Sequence, residues 1–327
     1  MRPFEYLRAG DADEAIAAVA GDPGGAFLAG GTTQVDLMRE EVLRPTLLVD
    51  IGRLPLRGVA AGEDAVRIGA LTTMADAAAD PLLRERLPLV AEALLAGASA
   101  QLRNMATIGG NLLQGSRCRY YRDRVFACNR REPGSGCGAI AGHHRMHAVL
   151  GTSERCIATH GSDLAVALVA LDAVVQLRGP AGPRRIALSD LYLRPGDTPQ
   201  AETVLAHGEL LTEVEVPLPP AGTRSHYLKV RDRASYEFAL ASAAVALAVD
   251  DQRITYARVA LGGLATVPWR STAAEQVLRG APPGPPTFRA CAEAALAGAA
   301  PRRDNAFKVE LGKRTLVRAL QTVAGAA

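Results

Sequence analysis

Apolar residues recur along this chain in two rhythms, one near 3.6 residues and one near two. Residues 11–20, DADEAIAAVA, have the spacing of an amphipathic helix behind an acidic cap. Residues 26–29 form a short apolar run that stops at Gly30-Gly31-Thr32-Thr33, apolar spacing resumes over 34–39, and 47–51 reads as a second strand. A new unit starts at 66–73 and leads into an alanine-rich helix near 89–95. Later, 163–172 has helical spacing, 173–178 and 185–188 read as strands, and 209–217 alternates as a strand with one buried face. The segment PLPPAG at 217–222 is the clearest boundary. Beyond it the pattern predicts strands over 224–231 and 253–261 on either side of a helix over 239–249, and a proline-rich break at 281–286 precedes the last helices. The expected class is α+β or mixed α/β, with a large first part, a smaller second part and no internal repeat.

Composition narrows this picture. A chain of 327 residues that is 48% hydrophobic can bury two or three cores, and with 4% aromatics those cores are packed with Ala, Val and Leu. A net charge of +3, with no lysine-rich arm or zinc-finger spacing, gives no reason to invoke nucleic acid. No apolar run reaches the length needed to span a bilayer, and MRPFEYLRAGDADEA has no apolar signal region. The expectation is synthesis in the cytoplasm without a signal of its own.

Two glycine pairs carry candidate chemistry. Gly30-Gly31-Thr32-Thr33 follows a short strand, and Gly109-Gly110-Asn111 follows Thr107-Ile108. Consecutive glycines admit unusual backbone angles and leave N–H groups bare, so each is expected to form a tight turn with an anion nest. A diphosphate has more oxygens than one turn satisfies, and two turns from separate units suit its two phosphates. Neither is a G-x-G-x-x-G dinucleotide fingerprint. The run from Gly134 to Gly138 lies between cysteines and follows no strand, and Gly312-Lys313 lacks an upstream glycine loop.

Of five cysteines, Cys118, Cys128, Cys137 and Cys156 fall close together, whereas Cys291 reads as a buried small residue on a C-terminal helix. Four thiolates suit a tetrahedral zinc or an iron–sulfur cluster, and His143, His144 or His147 offers zinc a nitrogen. The spacing lacks the short knuckles of most structural zinc sites. The many nearby arginines, Arg117, Arg119, Arg130 and Arg155 among them, offset thiolate charge.

AGGTTQVDLM at 29–38, ATIGGNLLQ at 106–114, SDLAVALVALDA at 162–173 and YLKVRDRASYEFALASAAVAL at 227–247 together resemble the FAD-binding medium subunit of the xanthine dehydrogenase and carbon monoxide dehydrogenase family, the molybdenum hydroxylases. Most such subunits run directly from TIGGN to SDL. The extra segment here, with RCRYYRD, FACNRREPGSGC and RCIATHGSDLA, is similar to the subgroup serving bacterial periplasmic-type aldehyde oxidoreductases, whose flavin subunit holds a [4Fe–4S] cluster.

The resemblance implies an α+β fold: a two-lobed FAD-binding domain of the vanillyl-alcohol-oxidase type over 1–218, then a C-terminal α+β domain of the CO dehydrogenase flavoprotein type over 219–327. The lobes would be 1–55 and 56–218, with the cysteine-rich insertion at 115–160. It implies that Leu28, Ala29, Gly30, Gly31, Thr32, Thr33 and Gln34 hold the FAD diphosphate from one side, and Thr107, Gly109, Gly110 and Asn111 from the other. Ser162 and Asp163 would take ribityl or ribose hydroxyls, and Lys229 would sit near the isoalloxazine ring. Cys118, Cys128, Cys137 and Cys156 would ligate the [4Fe–4S] cluster. No catalytic residue is expected on this chain.

The implied partners are a large subunit binding the molybdenum cofactor and a small [2Fe–2S] subunit, in a heterotrimer exported through a signal-bearing partner. RDRASYEFA lacks a clear match to the region where NAD-using members receive nicotinamide, so ferredoxin, a quinone-linked carrier, an artificial dye or oxygen stands beside NAD+ as acceptor. Two alternatives stand beside this reading: the flavin/[4Fe–4S] subunit of a hydroxybenzoyl-CoA reductase-type enzyme, and a zinc-stabilised assembly protein.

Overall fold

The computed structural model describes residues 1–325. The chain opens with β1 (Glu5–Arg8), α1 (Ala12–Gly21), β2 (Gly25–Leu28), α2 (Gln34–Arg39) and β3 (Leu47–Asp50). The three strands form a parallel sheet in the order β1-β3-β2. Asp11 caps α1 as expected, accepting from the Glu14 amide at 2.8 Å, while the Glu14 carboxylate accepts from Gly10 N at 2.6 Å. Ile16 and Val19 then pack on Val49 and Ile51. The sequence pattern does not mark β1, because its four residues, EYLR, are mostly exposed.

The second lobe is built on β4 (Val59–Ala61), β5 (Ala65–Gly69), β6 (Val174–Gly179), β7 (Gly182–Ala187) and β8 (Leu210–Pro217), an antiparallel sheet in the order β4-β5-β8-β6-β7. Between β5 and β6 run α3 (Met74–Ala79), α4 (Pro81–Arg86), α5 (Pro88–Ala96), α6 (Ala100–Arg103) and α7 (Ile108–Leu112). The same connection holds α8 (Arg119–Arg122) and α9 (Gly138–Ala141) of the cysteine-rich insertion, then α10 (Asp163–Ala170); α11 (Leu188–Leu191) follows β7. All eight residues of α10 are buried, so it is a core helix.

The C-terminal part is an antiparallel sheet of β9 (Arg224–Val230), β10 (Ala241–Asp250), β11 (Arg253–Gly262) and β12 (Trp269–Arg270). Helices α12 (Thr272–Leu278), α13 (Pro285–Leu296) and α14 (Phe307–Ala324) cover one face. Cys291 is buried on α13, in this core.

The helix expected over 239–249 is β10, a central strand. Ala241, Ala243, Val245 and Leu247 join the core beneath α12–α14, while Ala244 joins the core of the second lobe. Because both faces are covered, the strand reads as one continuous apolar run, and its alanines mimic a helix. Tertiary packing overrides alanine's helical preference here.

Candidate functional site

Beyond β2 the chain bends through Ala29–Thr33 and enters α2. The carbonyls of Gly31 and Thr33 accept the first bonds of α2, from Val35 N at 2.9 Å and Leu37 N at 3.0 Å. The amides of Gly30, Gly31, Thr32 and Thr33 find no protein acceptor among the described residues. Gly31 has φ of +71°, a conformation glycine adopts without penalty. Gly30 lies against the second lobe, where an added Cβ would meet the Met105 carbonyl oxygen at 1.8 Å. Only glycine lets the two lobes close at this point.

The second glycine segment differs from expectation. Instead of a turn with bare amides it forms α7, capped by Thr107, whose Oγ1 accepts from Gly110 N at 3.1 Å. Gly109 N donates to Ala70 O and Asn111 N to Thr107 O, both at 2.8 Å. Its donors are therefore satisfied internally, and what it offers is room. A Cβ on Gly110 would meet only the Thr107 hydroxyl, at 2.9 Å.

The two segments nevertheless share walls. A cavity of about 390 Å³ is lined by Ala29–Gln34 from the first lobe and by Thr107, Gly109 and Gly110 from the second. A second cavity, of about 420 Å³, is lined by Thr32, Thr33, Gly110 and Asn111, and reaches Asp163 and Lys229. Leu28 ends β2 and packs behind Gly31 without lining either.

Asp163 and Lys229 meet in a buried ion pair, with Nζ 2.7 Å from Oδ2 and side-chain exposures of 4% for Lys229 and 8% for Asp163. Lys229 Nζ also donates to Ala96 O at 3.1 Å, and the Tyr227 hydroxyl donates to Asp163 Oδ1 at 2.7 Å. Burial, with the Asp163 charge beside it, raises the Tyr227 hydroxyl well above its ordinary range. Ser162 caps α10, accepting from Ala165 N at 2.9 Å, and donates to Asn111 Oδ1 at 2.5 Å. Ser162 and Asp163, to which the resemblance gives ribityl or ribose hydroxyls, both bond within the protein, and Asp163 also lines the second cavity. Their network ties α7, α10 and β9 into one wall, which single-residue reasoning missed.

The insertion brings all four cysteines to one small pocket, lined also by Tyr121 and Arg130. Cys128 and Cys137 face each other across an isolated antiparallel bridge, and none of the four is in a disulfide. Among the described residues no group of three or more His, Cys, Asp or Glu side chains is drawn together closely enough to hold a single metal ion. Backbone amides face the sulfurs: Tyr120 and Tyr121 at Cys118, Ala139 and Ile140 at Cys137, and Ala158 N at 3.5 Å from Cys156. His147 Nε2 lies 3.2 Å from Cys118 Sγ, and the Arg130 guanidinium, paired with Glu202 at 2.6 Å, lies 3.9 Å from Cys156 Sγ. Burial pushes the Cys118 thiol up to about 12 and raises that of Cys137, so without a metal these thiols stay protonated.

The insertion is anchored on two sides. Arg117 and Arg122 pair with Asp36 of α2, and Arg117 also donates to Thr33 Oγ1 at 3.2 Å, beside the first bend. On the other side Lys308 of α14 donates to the carbonyls of Met146, His147 and Gly263 at 3.2, 3.1 and 2.5 Å. Burial pulls the Lys308 amine down to about 7, yet three carbonyls match the three N–H bonds of an ammonium. Tyr121 and Arg130 line both the cysteine pocket and the first cavity, so the two compartments share a wall.

Comparison with known proteins agrees with this architecture. Residues 2–219 match the family described as FAD binding domain in molybdopterin dehydrogenase, and residues 226–323 match the CO dehydrogenase flavoprotein C-terminal domain. The chain is 47% identical to the aldehyde oxidoreductase FAD-binding subunit PaoB of Escherichia coli (strain K12), over 98% of each chain. It is 28% identical to the carbon monoxide dehydrogenase medium chain of Hydrogenophaga pseudoflava, over 97% of this chain and 96% of that one. The solved structure of carbon monoxide dehydrogenase from Hydrogenophaga pseudoflava superposes with a TM-score of 0.79 at 28% identity, covering all of both chains.

Proposed function

The chain belongs to the FAD-binding medium subunits of the molybdenum hydroxylase family, and from that premise we propose that it is the electron-transfer subunit of a molybdenum-dependent aldehyde oxidoreductase. The observation that carries this reading is the pair of cavities walled jointly by the two glycine segments, with Gly30 pressed against the Met105 carbonyl. The choice of aldehyde over the family's other substrates rests on the 47% identity to an aldehyde oxidoreductase subunit.

The residues present fit FAD. Four unpartnered amides at the first bend, with the Thr32 and Thr33 hydroxyls, suit a diphosphate. Ala29, Gly30, Gly31, Thr32, Thr33 and Gln34 would hold it, with Leu28 bracing the bend. Thr107, Gly109, Gly110 and Asn111 would close the opposite side by leaving space rather than by donating amides. Ser162 holds Asn111 in position. Lys229 and Asp163 border the second cavity, where the ammonium would stabilise negative charge on the flavin ring. Bound FAD supplies two-electron storage with one-electron exchange.

The four long-spaced cysteines lining one pocket suit a [4Fe–4S] cluster and lack the short knuckles of most structural zinc sites. A zinc ion draws four sulfurs to about 2.3 Å from one point, whereas each thiolate of a cluster binds its own iron. Cys118, Cys128, Cys137 and Cys156 would be the ligands, with amides, His147 and Arg130 offsetting their charge. In this reading electrons reach the chain from a small [2Fe–2S] subunit, after a large molybdenum-cofactor subunit has oxidised the aldehyde. They leave to an external acceptor. The assembly is a heterotrimer, exported with a signal-bearing partner.

Co-purification of the complex under native expression, with FAD, iron and acid-labile sulfide measured, tests this reading. Cys137→Ser should lower iron and sulfide while leaving FAD at the wild-type level. Full iron in that variant would remove Cys137 from the ligand set, and a colourless wild-type complex would remove the whole account.

A further inference from the structure

The cysteine pocket shares walls with larger spaces. Cys118 and Tyr120 stand between it and a third cavity of about 660 Å³, which neither glycine segment lines. Tyr121 and Arg130 stand between it and the first cavity. That second wall contains a buried charge. The Arg130 side chain is 9% exposed, and its Nη1 lies 2.6 Å from Oε2 of Glu202, on the loop between α11 and β8. Its Nη2 lies 3.9 Å from the Cys156 sulfur, and its Nε is buried with no hydrogen-bond partner.

The loop around Arg130 is braced by its neighbours. Asn129 Oδ1 accepts from Gly134 N at 3.1 Å and Gly136 N at 2.8 Å, and Asn129 Nδ2 donates to Arg155 O at 3.0 Å. Arg131 donates to the carbonyls of Tyr120 and Tyr121 at 2.9 and 2.6 Å. The Arg130 side chain bonds no backbone atom among the described residues; its partners are a carboxylate and a sulfur. A buried ion pair is often no more stabilising than apolar side chains of the same volume, so stability alone does not call for arginine here. Charge is what an apolar residue cannot supply. A guanidinium keeps its proton within proteins, so this charge is permanent. Arg119 and Arg155 are exposed, and water and salt screen them. Arg130 is shielded from both, and its field reaches the sulfur less attenuated.

We propose that Arg130 is a positioning residue that raises the reduction potential of the cluster held by the four cysteines, acting through the Cys156 sulfur, and that Glu202 opposes it. The inference rests on the cluster reading above and concerns a quantity that reading leaves open. One-electron reduction adds a negative charge to the cluster and makes or breaks no bond. A cation beside a ligand sulfur favours the reduced form, and an anion disfavours it. Glu202 lines the first cavity but not the cysteine pocket, so the pair presents its positive end to the sulfur and its negative end to the cavity. That arrangement favours an electron on the cysteine side of the wall over one in the first cavity.

The test is a potentiometric titration of the whole complex with dithionite as the electron donor, read from the paramagnetic resonance signal of the reduced cluster. Iron, sulfide and FAD are measured in each variant. Arg130→Met should make the cluster harder to reduce by about tenfold or more, which is about 59 mV in a one-electron couple. Arg130→Lys keeps the charge, loses the planar fork and should recover most of that shift. Glu202→Gln should make reduction easier, by about threefold or more because the carboxylate is 33% exposed. Glu202 stands outside the cysteine pocket, so this variant decides the matter even where Arg130→Met loses iron. An unshifted potential in Glu202→Gln, or in Arg130→Met at full iron content, overturns the proposal. A potential in Arg130→Lys as low as in Arg130→Met assigns the effect to shape and also overturns it. A wild-type complex without iron and sulfide removes the cluster reading itself, and this proposal with it.

Discussion

Lys229 and Asp163 lie 66 positions apart and meet below the surface with 2.7 Å between charged atoms. Removing one partner of such a pair strands the other, at a cost of about 3–5 kcal/mol. Lys229→Met should therefore lower the urea midpoint of unfolding sharply, and Asp163→Asn added to it should recover part of the loss; an unchanged midpoint in the single variant would mean that the pair contributes nothing. His160 makes a different prediction. It borders two cavities, and burial pulls its imidazole down to about 3. The folded chain keeps the ring neutral, whereas an unfolded chain takes up a proton below about pH 6.5. Stability from this site is complete above that value and is lost as pH falls toward about 3. Melting temperature measured across that window should fall less steeply in His160→Gln than in wild type.

At the scale of elements, legibility in the sequence followed how local the cause was. Capping by Asp11 and the one-sided alternation of β8 are written in neighbouring residues, and both were read correctly. β10 was read as a helix because its pattern reflects two covering layers contributed by distant parts of the chain. The TIGGN segment was read as a bare turn because the acceptor for Gly109 N is Ala70 O, which no spacing rule supplies. The bond from Ser162 to Asn111 across 51 positions was invisible for the same reason. The gathering of four cysteines into one pocket followed the sequence expectation, although their long spacings alone were compatible with zinc. The ties from the insertion to α2 carry a prediction. Asp36 receives both Arg117 and Arg122 beside the first bend, so Asp36→Ala should loosen that bend and not the cysteine pocket. Partly exposed pairs of this kind contribute on the order of 0.5–1 kcal/mol, so a few-fold weaker FAD retention with unchanged iron is expected in equilibrium dialysis.

Across the whole molecule, the insertion packs against α2 on one side and is gripped by α14 on the other, and the cysteine pocket, the two glycine-walled cavities and the third cavity lie side by side with shared walls. The glycine pair leads directly into a cysteine- and arginine-rich segment because that segment fastens the first lobe over the cleft. No helix among the described residues is long and apolar enough to cross a membrane. The central claim is that both glycine segments face one FAD, and FAD bound per chain tests it most directly, in wild type and in Gly110→Leu. The added Cβ meets the Thr107 hydroxyl, whose cap is worth about 1 kcal/mol, and Gly110 lines both glycine-walled cavities. The account predicts a full complement of FAD in the wild type and almost none in a folded Gly110→Leu. Equal FAD in both, or none in either after reconstitution, would contradict it.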